Sequence, residues 1–438
     1  MITWFLDRTL QAALASHLMS ISAAASPQRR MMAETRLGKI AYVESGDGPP
    51  AIFIHGLFLN GGLWLHQLDT LSGIRRCIAV DLLAHGSSPA PADGHLTMGL
   101  QAEMIVDFID VLKLDKVDLV GNDTGGAIAQ LIATRIPERI RTLTLTNCDT
   151  HDNWPPAAFA AIHDMADQGV LAGALGMLAS DPVAARGALA TSFEHPDQLP
   201  EDTIRGFFAP FSDLSRANAV QDYVRGMDHG VTVAIMDDLA RLLVPTLVVW
   251  GADDTFFDVS WARWLATTIP GTVRRVEIPG AKLFHPLERP EVLSGELREL
   301  WANSDAHSVI NNYLDAWNRH DLDAIVDMHT PDTLVTIHVG AVSYEGSCDV
   351  REAFRAMLIA WPDLRLELSR RVVSGGICVL ESVITATVAS PLPEVFGLPL
   401  EKDALIRGSR VDILTLEGQR IARMDTYLDA AELLAAAP

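Results

Sequence analysis

Cysteine is scarce in this chain. Cys77, Cys148, Cys348 and Cys378 lie scattered over 438 positions with no CxxC pair. That excludes a disulfide framework and a cysteine zinc site, and it suits a reducing, cytoplasmic compartment. Basic charge is short as well. Lys and Arg number 34 against 56 Asp and Glu, for a formal net charge of −22. A phosphate backbone or an anionic bilayer surface would be repelled, so nucleic acid is not an expected partner. Past the first 26 residues there is no run of roughly 18 uncharged apolar residues, so no membrane span is expected. Internal repeats, low-complexity segments, metal-ligand clusters and a phosphate-binding glycine loop are all missing, and no metal or cofactor is expected.

What the chain has is apolar residues, at 49% of the total. With this length, they are enough for two or three cores. Residues 1–33 read as an N-terminal helical extension. Trp4, Leu6, Leu10, Ala13 and Leu18 have amphipathic spacing, while Asp7, Arg8, Gln11 and His17 interrupt what would otherwise be a cleaved signal. Residues 34–302 alternate short apolar strands (39–43, 51–54, 77–81, 117–120, 143–147, 242–250, 273–278) with helical spacing. This pattern predicts a parallel sheet covered on both faces. Within it, residues 151–240 are helical and broken by prolines, as a cap inserted over the strand ends would be. Residues 303–438 change character to helices followed by strands at 334–339, 364–369, 378–389, 406–416 and 421–427. This predicts an α+β cone beyond a linker near Ala302-Asn-Ser-Asp305.

The most informative segment is Val117-Asp-Leu-Val-Gly-Asn-Asp-Thr-Gly-Gly126. A β-branched strand runs into a turn of small residues and then into a helix, the arrangement that exposes a nucleophile on a sharp bend. The nucleophile position holds Asp123. An ionised carboxylate needs no base to attack carbon, and it forms an ester with its substrate.

On these and three further motifs, residues 34–302 resemble the α/β-hydrolase superfamily, in its aspartate-nucleophile branch of haloalkane dehalogenases and epoxide hydrolases. The other motifs are His55-Gly56, Val249-Trp-Gly-Ala-Asp-Asp254 and Pro279-Gly-Ala-Lys-Leu-Phe-His-Pro-Leu-Glu-Arg-Pro290. Residues 306–434 resemble the SnoaL-like branch of the NTF2 superfamily, which includes polyketide cyclases. There the motifs are Ala316-Trp-Asn-Arg-His-Asp321, Trp361-Pro-Asp363 and Met424-Asp-Thr-Tyr-Leu-Asp429. The implied architecture is an α/β-hydrolase sheet with a helical cap, followed by an NTF2-like cone.

The first resemblance implies an oxyanion hole from the backbone N–H groups of Leu57 and Thr124. It implies a triad acid at Asp254, with Asp253 as its rival. It also implies a histidine at position 283, where this chain has Leu283. His285 lies two residues on, and two steps along an extended backbone return a side chain to the same face. His285 as base, a substitute such as His151, and an altered second step all stay open. Thr124 replaces the tryptophan that halide-stabilising members carry after the nucleophile, and the cap holds only Tyr223 where epoxide hydrolases place two tyrosines. His55, His151, Trp154 and Tyr223 are candidate substrate contacts, although His55 suits a structural role better than a catalytic one.

In the cone, Asp321, His338, Glu381 and Asp425 are candidate acid–base groups, and a homodimer through this domain is an expected assembly. The function implied is a hydrolase working through an Asp123 ester on an apolar small molecule, such as a polyketide-like or aromatic metabolite, an epoxide or a halide. The alternatives are a lyase or cyclase using Asp123 as a base, and a ligand-binding protein with a broken triad.

Overall fold

The structure is a computed structural model that describes residues 30–390 and 400–435. The expected N-terminal helix lies outside the described residues, apart from its last positions, and these are not helical. Met31–Thr35 forms an edge strand, β1. The chain divides into two units between Arg298 and Glu299.

Among the described residues of the first unit, eight strands form one sheet. With β1 they are β2 (Gly38–Ser45), β3 (Pro50–Ile54), β4 (Arg76–Asp81), β5 (Val117–Asp123), β6 (Ile140–Cys148), β7 (Thr246–Gly251) and β8 (Thr272–Ile278), in the order β1-β2-β4-β3-β5-β6-β7-β8. The β1–β2 and β2–β4 pairings are antiparallel, and from β4 to β8 every pairing is parallel. Parallel strands need helical crossovers, which cover both faces and leave the central strands apolar along their length. Ile52, Phe53, Leu119, Val120, Leu145, Val248 and Val249 are accordingly fully buried. Between β6 and β7 the described chain is all helices and turns, including Ala160–Asp167, Leu171–Ser180, Pro182–Leu189, Glu201–Phe208 and Leu214–Arg225. Asp181 accepts the Val183 and Ala184 N–H groups ahead of Pro182, and Asp213 accepts that of Ser215. Such side-chain caps satisfy the first orphan donors of a helix.

The second unit carries a six-stranded sheet. Its strands are β9 (His329–Ile337), β10 (Val342–Glu345), β11 (Arg365–Ser374), β12 (Ile377–Thr387), β13 (Leu405–Glu417) and β14 (Arg420–Leu428), in the order β10-β9-β14-β13-β12-β11. Register shifts at Leu368/Arg370 and Thr415/Leu416 mark bulges that curve it. Trp317, Phe354, Trp361 and Tyr313 fill its core. The expected linker at 302–305 is absent as a loop. Pro290–Asn318 is one continuous helix, because nothing between Glu291 and Trp317 breaks helical propensity strongly enough to stop it. Among the described residues no helix is long and apolar enough to cross a membrane.

The turn from β5 into the helix Thr124–Arg135 is the tightest joint of the first unit. A Cβ on Gly121 would lie 2.4 Å from the Gly125 carbonyl oxygen, and one on Gly125 would lie 2.3 Å from that of Ile54. These are backbone contacts that cannot swing aside. Gly125→Ala is expected to lower stability by about 1–3 kcal/mol, read as a fall in the urea unfolding midpoint. An unchanged midpoint would mean that the joint has slack.

Candidate active site

Asp123 is the last residue of β5 and stands at φ 56°, ψ −133°. This conformation is costly for a residue with a side chain and persists where surrounding packing enforces it. It turns the carboxylate out of the sheet toward the loop after β3. There the Leu57 N–H donates to Asp123 Oδ2 at 2.9 Å, and the Thr124 N–H also donates to the carboxylate. These are the two donors expected to form an oxyanion hole, and in this structure they hold the side chain of Asp123 itself. Gly56 is required beside it, since a Cβ there would fall 2.1 Å from Asp123 Oδ2.

The carboxylate opens on a cavity with about 550 Å³ of empty space, part of it open to solvent. Its walls are mostly apolar, with Phe58, Phe159, Phe257, Leu283 and Phe284 among them, the usual build of a small-molecule site. Asp123 keeps some accessible surface because it faces this space, yet it lies deep in the protein. Burial pushes its carboxyl up to about 7, and the Asp254 carboxylate adds to the rise against the pull of the Leu57 and Thr124 N–H groups.

Two further carboxyls stand at the ends of the next two strands. Asp254, just past β7, is buried and accepts the Phe256 N–H at 2.9 Å and the Asn147 amide at 2.8 Å. Burial pushes it up to about 6 in spite of those bonds. Its rival Asp253 is exposed. Asp149, just past β6, was not singled out from sequence. It lines the cavity and accepts the Thr124 hydroxyl at 3.0 Å on Oδ2, while its Oδ1 is buried without a hydrogen bond. Burial and the nearby Asp123 hold its carboxyl well above the usual carboxylate range. One signal could have found it. In a parallel sheet, ligand-facing groups sit just beyond the carboxyl ends of strands, and Cys148-Asp149-Thr150 is such an end. These carboxyls do not gather as a metal-ligand set among the described residues.

His285 is not brought to Asp123. Leu283 lines the cavity and His285 does not. The extended backbone that would have returned the imidazole to the same face is missing, because the chain turns at Leu283 and Phe284 and enters a short helix at His285. Two residues in a helix turn a side chain by about 200°. The loop is tied in this register by the Asn122 amide, which donates to the Leu283 carbonyl at 3.0 Å, and by the Phe284 N–H on the Ser192 carbonyl at 3.2 Å. Glu288 adds to the hold by accepting the Glu194 and His195 N–H groups, each at 2.8 Å. The His285 ring is fully buried and neither nitrogen makes a hydrogen bond of good geometry. Burial lowers its pKa to about 3.

Three other sequence candidates, His55, His151 and Tyr223, also fall outside the cavity lining. His55 spends both nitrogens on backbone. Its Nε2 accepts the Leu82 N–H at 2.9 Å, which leaves Nδ1–H to donate to the Gly56 carbonyl at 2.7 Å. It therefore braces the loop that carries Leu57. His151 lies against Trp264 at 5.1 Å between ring centroids and pairs with Asp152. Trp154 does line the cavity, and its Nε1 is buried without a partner. Tyr223 packs near Trp154 at 6.4 Å, its hydroxyl likewise buried and unpartnered. The charges of Asp149 and Asp123 together with burial raise its phenol well above its ordinary value. The cap phenylalanines Phe193, Phe207, Phe208 and Phe211 are core residues and do not line the cavity.

In the second unit a narrow recess is lined by Trp317, Phe354, Met357 and Met424 together with Arg410 and Thr426. Its polar groups are already engaged: Arg410 donates to Asp412 at 2.9 Å and Thr426 to the same carboxylate at 2.7 Å. The acid–base candidates lie elsewhere. Asp321 caps the helix Leu322–Asp327, Glu381 is exposed beside Arg370, and Asp425 is bound by Arg423 and His338.

A strained acidic residue at a strand–helix elbow, facing backbone donors below a helical cap, is the plan of one large family. The profile of the alpha/beta hydrolase fold matches residues 49–289, and the chain belongs to that family as an enzyme, a hydrolase. A SnoaL-like domain follows at residues 310–424. Among relatives, haloalkane dehalogenase 2 of Mycobacterium bovis is 27% identical over 275 residues, 60% of this chain and 91% of that protein. Epoxide hydrolase 3 of Xenopus tropicalis is 26% identical over 273 residues, 59% of this chain and 73% of that protein. Among solved structures, the epoxide hydrolase CorEH without ligand superposes with a TM-score of 0.53 at 19% identity, covering 61% of this chain and 96% of that one, a likeness of fold.

His285→Leu is expected to raise stability by about 1 kcal/mol, since it removes two buried polar atoms that make no hydrogen bond of good geometry, and to leave turnover unchanged. A loss of about 10²–10⁴-fold, the contribution of a general base, would return His285 to the site.

Proposed function

We propose that this protein is a hydrolase in which Asp123 attacks an electrophilic carbon of an apolar small molecule and forms an ester. The observation that carries this reading is the Asp123 carboxylate itself. It is bent out of β5 at φ 56° into an apolar cavity and is already held by the Leu57 N–H at 2.9 Å. Those donors would later hold the oxyanion formed when water attacks the ester carbon. Trp154 Nε1–H, buried and unpartnered in a residue of the cavity wall, would receive the departing atom. Relatives named for haloalkanes and for epoxides support a carbon bearing a halide or an epoxide oxygen as the electrophile. The phenylalanine-rich walls support an aryl or long alkyl remainder. The Asp254 charge raises the Asp123 pKa, and Asp254 stands at the triad-acid position without a histidine to act on among the cavity-lining residues.

The second reading, Asp123 as a general base in a lyase or cyclase, draws on Leu283 standing where a histidine base would be. One labelling experiment separates the two. In H₂¹⁸O, a single turnover of styrene oxide through an ester puts ¹⁸O into the Asp123 peptide and an enzyme-derived ¹⁶O into the diol. An Asp123 peptide left unlabelled after turnover would favour Asp123 as a base over the ester.

The ionised form is the nucleophile, and burial raises its pKa to about 7. The rate of Asp123 alkylation by 1-bromohexane is therefore expected to climb as pH passes up through about 7 and to fall about tenfold per unit below it. A rate flat down to pH 5 would mean an ordinary carboxylate. Asp123→Asn is expected to abolish alkylation.

A further inference from the structure

No imidazole lines the cavity among the described residues, so the proton that an ester mechanism needs moved twice has to travel on another group. Asp149 lines the same cavity as Asp123 and is 2% exposed. Thr124 connects the two carboxyls, with its backbone N–H on Asp123 and its hydroxyl on Asp149 Oδ2 at 3.0 Å. With Oδ2 accepting, the proton of a neutral Asp149 belongs on Oδ1, the oxygen that has no partner. Trp154 lines the same cavity and adds a second buried donor without a partner, its Nε1. The cavity wall therefore offers a departing electron-rich atom an indole N–H and a carboxylic acid.

We propose that Asp149 is the acid–base residue of this site, and that its chemistry selects substrates whose leaving atom is a basic oxygen, an epoxide above all, over halides. The proposal rests on Asp123 being the nucleophile. In the first step an Asp123 oxygen bonds to the carbon, the carbon–oxygen bond of the epoxide breaks, and the released oxygen takes the Asp149 proton to become a hydroxyl. Asp149 is now a carboxylate. In the second step it takes a proton from water, and the hydroxide bonds to the Asp123 carboxyl carbon. The tetrahedral oxyanion meets the Leu57 and Thr124 N–H groups. Collapse breaks the ester bond, and the product oxygen takes the remaining proton of the water. Asp123 ends as a carboxylate and Asp149 as an acid, as they began. Retaining glycosidases divide nucleophile and acid–base work between two carboxyls in the same way.

Burial and the Asp123 charge favour the neutral form of Asp149 at the outset, which arms the first step. With a halide the logic fails. The halide departs as an anion without a proton, Asp149 stays neutral, and the ester has no base to activate water.

The test compares wild type with Asp149→Asn on 1-bromohexane and styrene oxide, following Asp123 by peptide mass spectrometry and diol by chromatography. Wild type is expected to turn over styrene oxide repeatedly and to be trapped as a hexyl ester on Asp123 by the bromide. Asp149→Asn, which keeps an acceptor for the Thr124 hydroxyl, is expected still to be alkylated at Asp123 by the bromide, which shows it folded. It is also expected to lose styrene oxide turnover by about 10²–10⁴-fold. Asp149→Ala is expected to recover turnover with added formate, a rescue that a purely structural role would not allow. Repeated turnover of the bromide by wild type, or epoxide turnover by Asp149→Asn within about tenfold of wild type, overturns the acid–base role and leaves Asp123 as nucleophile. Absence of any Asp123 adduct in both proteins overturns the nucleophile and this proposal with it.

Discussion

A backbone bent to φ 56° at Asp123 stays bent because the helix behind it has no room to retreat. Gly121 and Gly125 lie too close to neighbouring carbonyls to carry even a methyl group, so β3, β5 and the helix Thr124–Arg135 lock one another. Strain of this kind persists only where the surroundings over-determine it. Here they do so with the most deeply buried strands of the sheet. Every feature of the site is referred to that joint. The Leu57 N–H can reach Asp123 only because β3 pairs with β5 in this register. The Leu57 loop is itself braced by His55, whose two nitrogens are both tied to backbone.

Strand order then determines the electrostatics. β5, β6 and β7 are consecutive neighbours, so the residues at or just past their carboxyl ends, Asp123, Asp149 and Asp254, meet over about two strand spacings of roughly 5 Å each. Three carboxyls in so small and dry a volume cannot all be charged cheaply, because each negative charge raises the cost of the next. Their different hydrogen-bond partners sort them. Asp254 has a side-chain amide and backbone donors, Asp123 has two backbone donors, and Asp149 has one hydroxyl. The graded pull toward the neutral form follows that order, and it gives neighbouring carboxyls unlike tasks.

The second unit is organised by different forces. Its sheet packs aromatic side chains into a recess whose polar groups, Arg410, Asp412 and Thr426, are satisfied by one another. A network closed on itself adds rigidity.

The strand positions apart from β1 and β10, the helical character of the cap and the location of Asp123 at the strand–helix turn were legible along the chain. They rest on period-two and period-3.6 patterns, glycine spacing and local turn chemistry, which are properties of neighbouring residues. The choice of Asp254 over Asp253 was readable from the same local count. Where local rules competed, the reading went astray. Leu283 and His285 share a face in an extended chain and oppose each other in a helix, and long-range bonds to Asn122 and Ser192 decided between the two. The loop expected at 302–305 gave way to a continuous helix because polar composition alone does not stop one. Asp149 was marked only by its place just past the carboxyl end of β6. What sequence determined by itself was the joint that bends Asp123. Which carboxyls meet there, and which side chain stands in place of a base, were decided only when strands far apart in the chain became neighbours, since convergence at strand ends depends on sheet order and not on spacing along the polypeptide.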